Sequence, residues 1–294
     1  VDNPLDYPDP ADIQLAEEPY VKASLIAPQE YVGNIMDLCQ QRRGEFKDMV
    51  YLDGVRVELH YEMPLNEIIY DFFDAIKSPI AVRSSSLLED SHYQPFAGIY
   101  STYMIPYLDD KYEMLRMLAC AIKGVYASVY YKDSKAYMTA TSNVIDQEKM
   151  AVILQEVVGK TYGDKYYPTF SGVLRSLNYY PIGDETAEEG IASLALGLGK
   201  YIVDGGQTLR VSPYHPNQVL QTSEMETALR ETQTRFYALD MSRVGDDFQV
   251  DDGFNIKNLR VKEADKDGAL TGIASTFDPY DQVIRDGIYE GGRK

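Results

Sequence analysis

The sequence predicts an α+β protein built from two consecutive modules, and three patterns carry that prediction. Residues 55–63 alternate in period two, with Val55, Val57, Leu59, Tyr61 and Met63 separated by polar residues, as a strand with one buried face does. Leu65, Ile68, Ile69, Phe72, Phe73 and Ile76 then fall on one stripe of a helix. Met150 to Val158 is a nearly continuous apolar run, which predicts a central strand buried on both faces.

Charge places the boundary. The chain has 294 residues, with 28 Lys and Arg against 46 Asp and Glu, a net charge of −18. Residues 1–78 hold sixteen acids and six bases, so about a quarter of the length carries more than half of the net charge. An acidic total argues against generic binding to DNA or to an anionic membrane surface. Cys39 and Cys120 are too few for a disulfide framework, and together with the lack of a long apolar run or a signal-peptide pattern they predict a cytoplasmic protein. Val1 and the Gly-Gly-Arg-Lys end read as cuts, so a piece of a longer protein is expected.

Within the first module, residues 1–19 hold four prolines and repeated acids and predict an extended arm. Tyr20 to Ala27 reads as a strand stopped by Pro28. Val32, Ile35, Met36 and Cys39 give a helix, with Gly44 as its stop and Arg42 and Arg43 at its negative end. Asp53-Gly54 predicts a type I′ hairpin turn ahead of the alternating strand. The order β-α-β-β-α is an incomplete split βαβ (ferredoxin-like) layout over residues 20–78 that lacks its last strand.

Several stretches of this module carry a family likeness. They are Glu18-Pro19-Tyr20-Val21-Lys22-Ala23-Ser24, Cys39-Gln40-Gln41-Arg42-Arg43-Gly44-Glu45-Phe46 and Val57-Glu58-Leu59-His60-Tyr61-Glu62-Met63-Pro64-Leu65. On them, residues 5–78 resemble the C-terminal, domain V-like part of the elongation factor 4 (LepA) family of translational GTPases. The resemblance implies a ribosome-facing surface on residues 20–78 and brings no GTPase domain with it.

The second module opens with Ile80-Ala81-Val82, a strand running into Arg83-Ser84-Ser85-Ser86. An Arg beside several hydroxyls at a strand end suits a phosphate group. Ser86-x-x-Glu89 equally fits a capping box. Residues 110–131 predict a long helix with Met114, Leu115, Leu118, Ile122, Val125 and Val129 inward. Gln155 and Glu156 are the polar residues of the central run, suited either to an adenine and ribose or to solvent at a strand end. Ser171-Gly172-Val173-Leu174 begins another strand, carried to Tyr179-Tyr180-Pro181, and Ile191, Leu194, Ala195 and Leu198 have helical spacing. Gly197-Leu198-Gly199-Lys200 lacks the spacing of a P-loop and reads as a helix end and turn.

Five motifs in order carry the second likeness. They are Val82-Arg83-Ser84-Ser85-Ser86 with Glu89-Asp90, Phe96-Ala97-Gly98, Leu154-Gln155-Glu156-Val157-Val158, Ser171-Gly172-Val173 and Leu196-Gly197-Leu198-Gly199. On them, residues 79–210 resemble the N-terminal ATP-binding domain of the phosphoenolpyruvate synthase and pyruvate phosphate dikinase family, with residues 211–294 as a divergent continuation. The resemblance implies an ATP-grasp-like α/β nucleotide-binding fold, kinase and transferase chemistry, and ATP and Mg²⁺ as cofactors. It implies phosphate binding by Arg83, Ser84, Ser85 and Lys200, and adenine and ribose binding by Gln155, Glu156 and Val158. It names no catalytic residue and no metal ligand here. Lys200 stands where the family usually has Glu, and a cation cannot ligate Mg²⁺. Gln233-Thr234-Arg235, in a predicted helical context, is only a chance likeness to a later family motif. None of His60, His92 or His215 sits in a phosphocarrier setting, so the chain alone is expected not to complete the reaction. Two other readings stand beside this one: a ribosome-binding fragment, and a composite of two unrelated fragments joined at Ser78-Pro79 without joint function.

Overall fold

The computed structural model describes residues 8–15, 17–86, 89, 98–140, 149–244, 249, 251 and 253–287. Leu87, Leu88, Asp90, His92, Phe96, Ala97 and Asp252, which the sequence motifs include, lie outside the described residues. The chain divides into two compact units, Val1–Lys77 and Ser78–Lys294.

Alternation builds the first unit. Strand β1 (Tyr20–Pro28) precedes helix α1 (Val32–Gln41), then strands β2 (Glu45–Tyr51) and β3 (Arg56–Pro64) and helix α2 (Leu65–Ala75). The strands form one antiparallel sheet in the order β1-β3-β2, with β3 in the centre. Val57, Leu59, Tyr61 and Met63 are all buried, and the last three form a cluster with Cys39. Val32, Ile35 and Met36 of α1 and Ile68 of α2 pack against that cluster. Both helices therefore cover one face of the sheet, where apolar burial supplies the stability that short helices lack alone.

Two turns differ from expectation. Neither Asp53 nor Gly54 has a positive φ, so the type I′ turn does not form. The Asp53 carboxylate instead accepts the N–H groups of Val55 (2.8 Å) and Arg56 (2.7 Å), closing a side-chain-mediated turn. These two backbone bonds, with the Arg56 guanidinium, hold the Asp53 carboxyl down at about 2. Helix α1 ends on Arg43, which takes the left-handed conformation (φ 56°) expected of Gly44. A Cβ on Gly44 would stand 2.8 Å from the Cys39 carbonyl oxygen, so close approach explains this glycine. Arg43 grips Glu18 through two hydrogen bonds (2.8 and 2.9 Å) and Glu67 through a third (2.8 Å). The end of the predicted arm is thereby tied down, and the Pro19 carbonyl accepts the Leu65 N–H at 2.9 Å.

The second unit is assembled from small antiparallel sheets. Strands β4 (Ile80–Ser86), β5 (Tyr103–Ile105) and β6 (Met150–Glu156) form one sheet in the order β5-β4-β6. Helix α3 (Lys111–Ser128), capped by Asp110 accepting from the Tyr112 and Glu113 N–H groups, buries Met114, Met117, Leu118, Ala121 and Val125. Helix α4 (Lys132–Ala140) follows it. Short strands β7 (Lys160–Tyr162) and β8 (Lys165–Tyr167) lead to β9 (Ser171–Arg175) and β10 (Ile191–Ala195). Helix α5 (Lys200–Val203), strand β11 (Leu209–Val211), helix α6 (Met225–Glu231) and strands β12 (Arg235–Asp240) and β13 (Ile256–Arg260) come next. Helix α7 (Val261–Lys266) precedes a hairpin of β14 (Ser275–Asp278) and β15 (Val283–Asp286).

Three expectations are corrected here. The run at Met150 to Val158 forms an edge strand, not a central one; Ile153 is 44% exposed and Val158 83% exposed. Continuous apolarity reads as two-sided burial, but β6 has only β4 beside it among the described residues. The predicted helix at Ile191 to Leu198 is strand β10, held between β9 and β11. Its four spaced apolar residues are too short a pattern to separate the two periods, and pairing along both edges satisfies its backbone. Strand β9 ends at Arg175, short of Tyr179-Tyr180, where Gly190 (φ 75°) packs against the Arg175 carbonyl.

Residues 211–294, the divergent continuation, contribute much of one core cluster. Phe236, Ala238 and Leu239 of β12 are fully buried, and β12 is central in the sheet β13-β12-β8-β7. Tyr167, Phe236 and Ala238 share one cluster with Leu196, Ala264, Ala269 and Leu270. Beneath it, Asp267 accepts both oxygens' bonds from Lys165 (2.6 Å each) and one from the Tyr167 hydroxyl (2.7 Å).

Candidate functional site

Antiparallel register decides which residues of β4 and β6 meet. Arg83 lies opposite Ile153, and Ala81 opposite Gln155. Directly opposed residues share a face, so Arg83, Ser85, Ile153 and Gln155 are on one side of the sheet. Ser84 and Glu156 are on the other. Arg83 Nη1 donates to Gln155 Oε1 at 3.2 Å, which joins two residues 72 positions apart in sequence. Arg83 is exposed, so its guanidinium keeps donors available to a ligand.

The second face is more self-contained. The Ser84 hydroxyl donates to Glu89 Oε1 at 2.8 Å. The Glu89 carboxylate also accepts the Ser86 N–H (3.0 Å), while the Ser86 hydroxyl accepts the Glu89 N–H (3.1 Å). Those two reciprocal bonds are the capping box that the Ser86-x-x-Glu89 spacing permits. The capping bonds thus form, Ser84 and Ser86 both serve Glu89, and Arg83 faces outward. Glu156 accepts from the Ser78 hydroxyl at 3.0 Å. Gln155 and Glu156, neighbours in sequence, thus diverge to opposite faces.

Lys200 comes from another element. Gly197 (φ 86°) turns the chain out of β10, and a Cβ there would stand 2.6 Å from the Tyr237 carbonyl oxygen. Gly199 caps α5, and Lys200 pairs with Asp204 at 3.1 Å, one helical turn on. Asp204 also perturbs Tyr237: burial first, and then the adjacent carboxylate, push the Tyr237 hydroxyl pKa up, with Lys200 opposing. Lys200, Asp204, Tyr237, Gly253, Ile256 and Asn258 line a hollow of about 270 Å³. The sequence reads Gly197 to Lys200 as a helix end and turn; the turn instead follows strand β10, and α5 starts at Lys200.

One hydrophobic cluster connects these elements. Tyr166, Leu198 and Leu239 are buried together, with Val157, Met104 and Tyr237 packed on them. Val157 follows β6, and Leu198 lies two residues before Lys200. The Tyr166 hydroxyl donates to the Val157 carbonyl at 2.7 Å, and the Val157 N–H donates to the Pro79 carbonyl at 2.8 Å. The end of β6 and the glycine turn are thus anchored to the same core, while Val158 projects outward. No hydrogen bond joins the Arg83–Gln155 pair to Lys200 among the described residues.

Gln233 belongs to this scaffold, and its context is a loop before β12 instead of the expected helix. Its Oε1 accepts the Leu196 N–H (2.7 Å), and its Nε2 donates to the Leu196 carbonyl (3.0 Å), so it extends the pairing of β10 at the point where the turn begins.

The described residues do not fit a metal held by protein side chains alone. No group of three or more His, Cys, Asp or Glu among them is arranged to hold a metal ion. No helix among them is long and apolar enough to cross a membrane.

Comparison with known proteins gives two results. Elongation factor 4 from Acetivibrio thermocellus is 64% identical over 78 residues, which is 26% of this chain and 13% of that protein. Elongation factor 4 from Clostridium botulinum strain Hall is 66% identical over 76 residues, with the same shares. The chain therefore spans about 13% of the length of these curated relatives. The sequence profile of the pyruvate phosphate dikinase AMP/ATP-binding domain matches residues 49–264, most of the chain. With the five motifs in place and that match extending over both the Arg83 face and the Lys200 turn, the chain belongs to the pyruvate phosphate dikinase AMP/ATP-binding domain family.

Proposed function

We propose that the second unit is the ATP-binding portion of a phosphoenolpyruvate synthase or pyruvate phosphate dikinase-like phosphotransferase, and that this chain cannot complete the reaction alone. The observation that carries the reading is the Arg83–Gln155 pair, which sets a fixed cation beside an amide on an exposed sheet face. Arg83 and Ser85 take the phosphates from this face. Ser84, already bonded to Glu89, shapes the turn beneath them, and Lys200 adds charge from the glycine turn. Gln155, on the Arg83 face, and the exposed Val158 border the adenine and ribose, Glu156 reaches the ribose from the opposite face at the strand end, and the backbone beyond Val157 provides donors and acceptors. This amounts to an ATP-grasp-like arrangement of residues 79–210, with 211–294 completing the core around β12. Mg²⁺ arrives on the nucleotide phosphates, since Mg²⁺ commonly keeps water and phosphate ligands with few carboxylates. The reaction class is one in which positioning and charge neutralisation dominate.

Isothermal calorimetry on the folded chain tests this. Saturable, Mg²⁺-dependent heat with ATP supports it, and no heat at millimolar nucleotide removes it.

The identity to elongation factor 4 favours a second reading for the first unit alone. There, residues 20–78 supply an incomplete ferredoxin-like surface that contacts the ribosome in the cytoplasm. Co-sedimentation with ribosomes that survives deletion of 79–294 is its expected result. If pelleting requires the second unit, this reading fails. Sequencing genomic DNA across the codons of Ser78 and Pro79 tests whether the two units share one native reading frame.

A further inference from the structure

The sheet of the first unit ends on β1, whose second edge carries no strand among the described residues. The next strand in the chain does not return to it, because β4 is held between β5 and β6. We infer that β1 pairs with β1 of a second copy of this chain, antiparallel and centred on Ser24, making one six-stranded sheet across a two-fold axis.

The two edges of the sheet differ in a way that points to β1. Edge strands that stay single are guarded by bulges and charges. The β2 edge has both: its register slips between Phe46 and Asp48, and Glu45, Lys47 and Asp48 crowd its end. The β1 edge has neither: its nine residues run in unbroken register, with Lys22 as their only charge and Pro28 only at the end.

The occupant follows from the strand itself. Pairing about Ser24 sets Val21 against Ala27 and Ala23 against Leu25 of the partner. Ala23 and Leu25 already pack on the buried cluster, so the helix-covered face continues across the seam. On the other face, Ile26, 60% exposed, meets the aliphatic stem of the partner's Lys22, and no Lys22 meets another. Among registers that keep the faces matched, this one uses all nine residues of both strands, and it closes by symmetry.

Ile26 gives a test whose sign is set by the register. Across the seam it faces the partner's Lys22; within its own sheet it faces Glu58. Ile26→Glu therefore tightens the dimer and adds repulsion inside the monomer. Ile26→Lys weakens the dimer and adds attraction inside the monomer. Each cross-strand charge pair is worth about 1.5- to 5-fold, and the symmetry doubles it, so each variant moves the dimer dissociation constant by roughly 2- to 30-fold, in opposite directions. The assay is sedimentation equilibrium of the full chain in about 0.3 M NaCl, which screens the repulsion between two acidic units. Circular dichroism melts report the monomer term. A chain that is monomeric at about 100 μM overturns the proposal, as does a dimer that both variants leave unchanged or shift in the same direction.

Discussion

Replacing Arg83 with alanine isolates the phosphate contact from the fold. Arg83 projects from β4 on the exposed face and donates to Gln155 Oε1 at 3.2 Å; the buried residues of the strand are Ile80, Ala81, Val82 and Ser86. The substitution therefore removes one surface hydrogen bond, and stability should move by no more than about 0.5 kcal/mol. Binding should move far more. A hydrogen bond to a charged group contributes about 1.5–3 kcal/mol, which corresponds to a loss of about 10- to 150-fold in ATP affinity. Arg83→Lys keeps the charge and loses the planar fork, so it should fall between the two. Gln155→Ala, by freeing the guanidinium, should cost less than Arg83→Ala. The assay is calorimetric titration with Mg-ATP, with thermal melts as the check on folding. A folded Arg83→Ala protein whose dissociation constant is within two-fold of the parent would refute the assignment of this face to phosphate.

Three further outcomes follow from the same geometry. Asp267→Ala leaves Lys165, whose side chain is only 15% exposed, without its carboxylate, and urea unfolding should show a loss of about 3–5 kcal/mol. Gly197→Ala forces a side chain into a left-handed turn against the Tyr237 carbonyl; it should cost about 1–3 kcal/mol, and a loss below 0.5 would contradict the close approach. The Asp53 carboxyl titrates at about 2 in the folded chain against an ordinary 3.8, so its stabilising contribution is complete above about pH 4 and disappears as pH falls toward 2. Asp53→Asn should flatten the stability profile of the first unit across that window and leave neutral pH behaviour little changed in slope.

Legibility tracked how local each pattern was. Val57, Leu59, Tyr61 and Met63 could be placed from sequence because one strand and its covering helices act within 45 residues. The helix at 111–128 was equally plain, since Asp110 and the Met114 stripe sit in a single stretch. The failures came where distant partners decide. Ile191 to Ala195 is a strand because β9 and β11 flank it, and four apolar residues cannot announce that. Met150 to Glu156 reads as central, yet its exposure depends on which strands stand beside it. Asp53-Gly54 signals a turn correctly but not its type, because the Asp53 carboxylate competes for the turn's N–H groups. At the candidate site, the motif supplied Arg83 and Gln155 as types, and register alone brought them to 3.2 Å. Register also separated Gln155 from Glu156, which adjacency in sequence conceals. Tyr237 could not have been found beside Lys200, since it arrives from a strand more than thirty residues later with no motif of its own.

Photolabelling with 8-azido-ATP, followed by peptide mapping, tests the central claim most directly. Saturable labelling, competed by ATP, is expected on the peptide that carries Leu154 to Val158, with reduced labelling of that peptide in Arg83→Ala. Labelling confined to residues 20–78, or labelling that ATP does not compete, would contradict it.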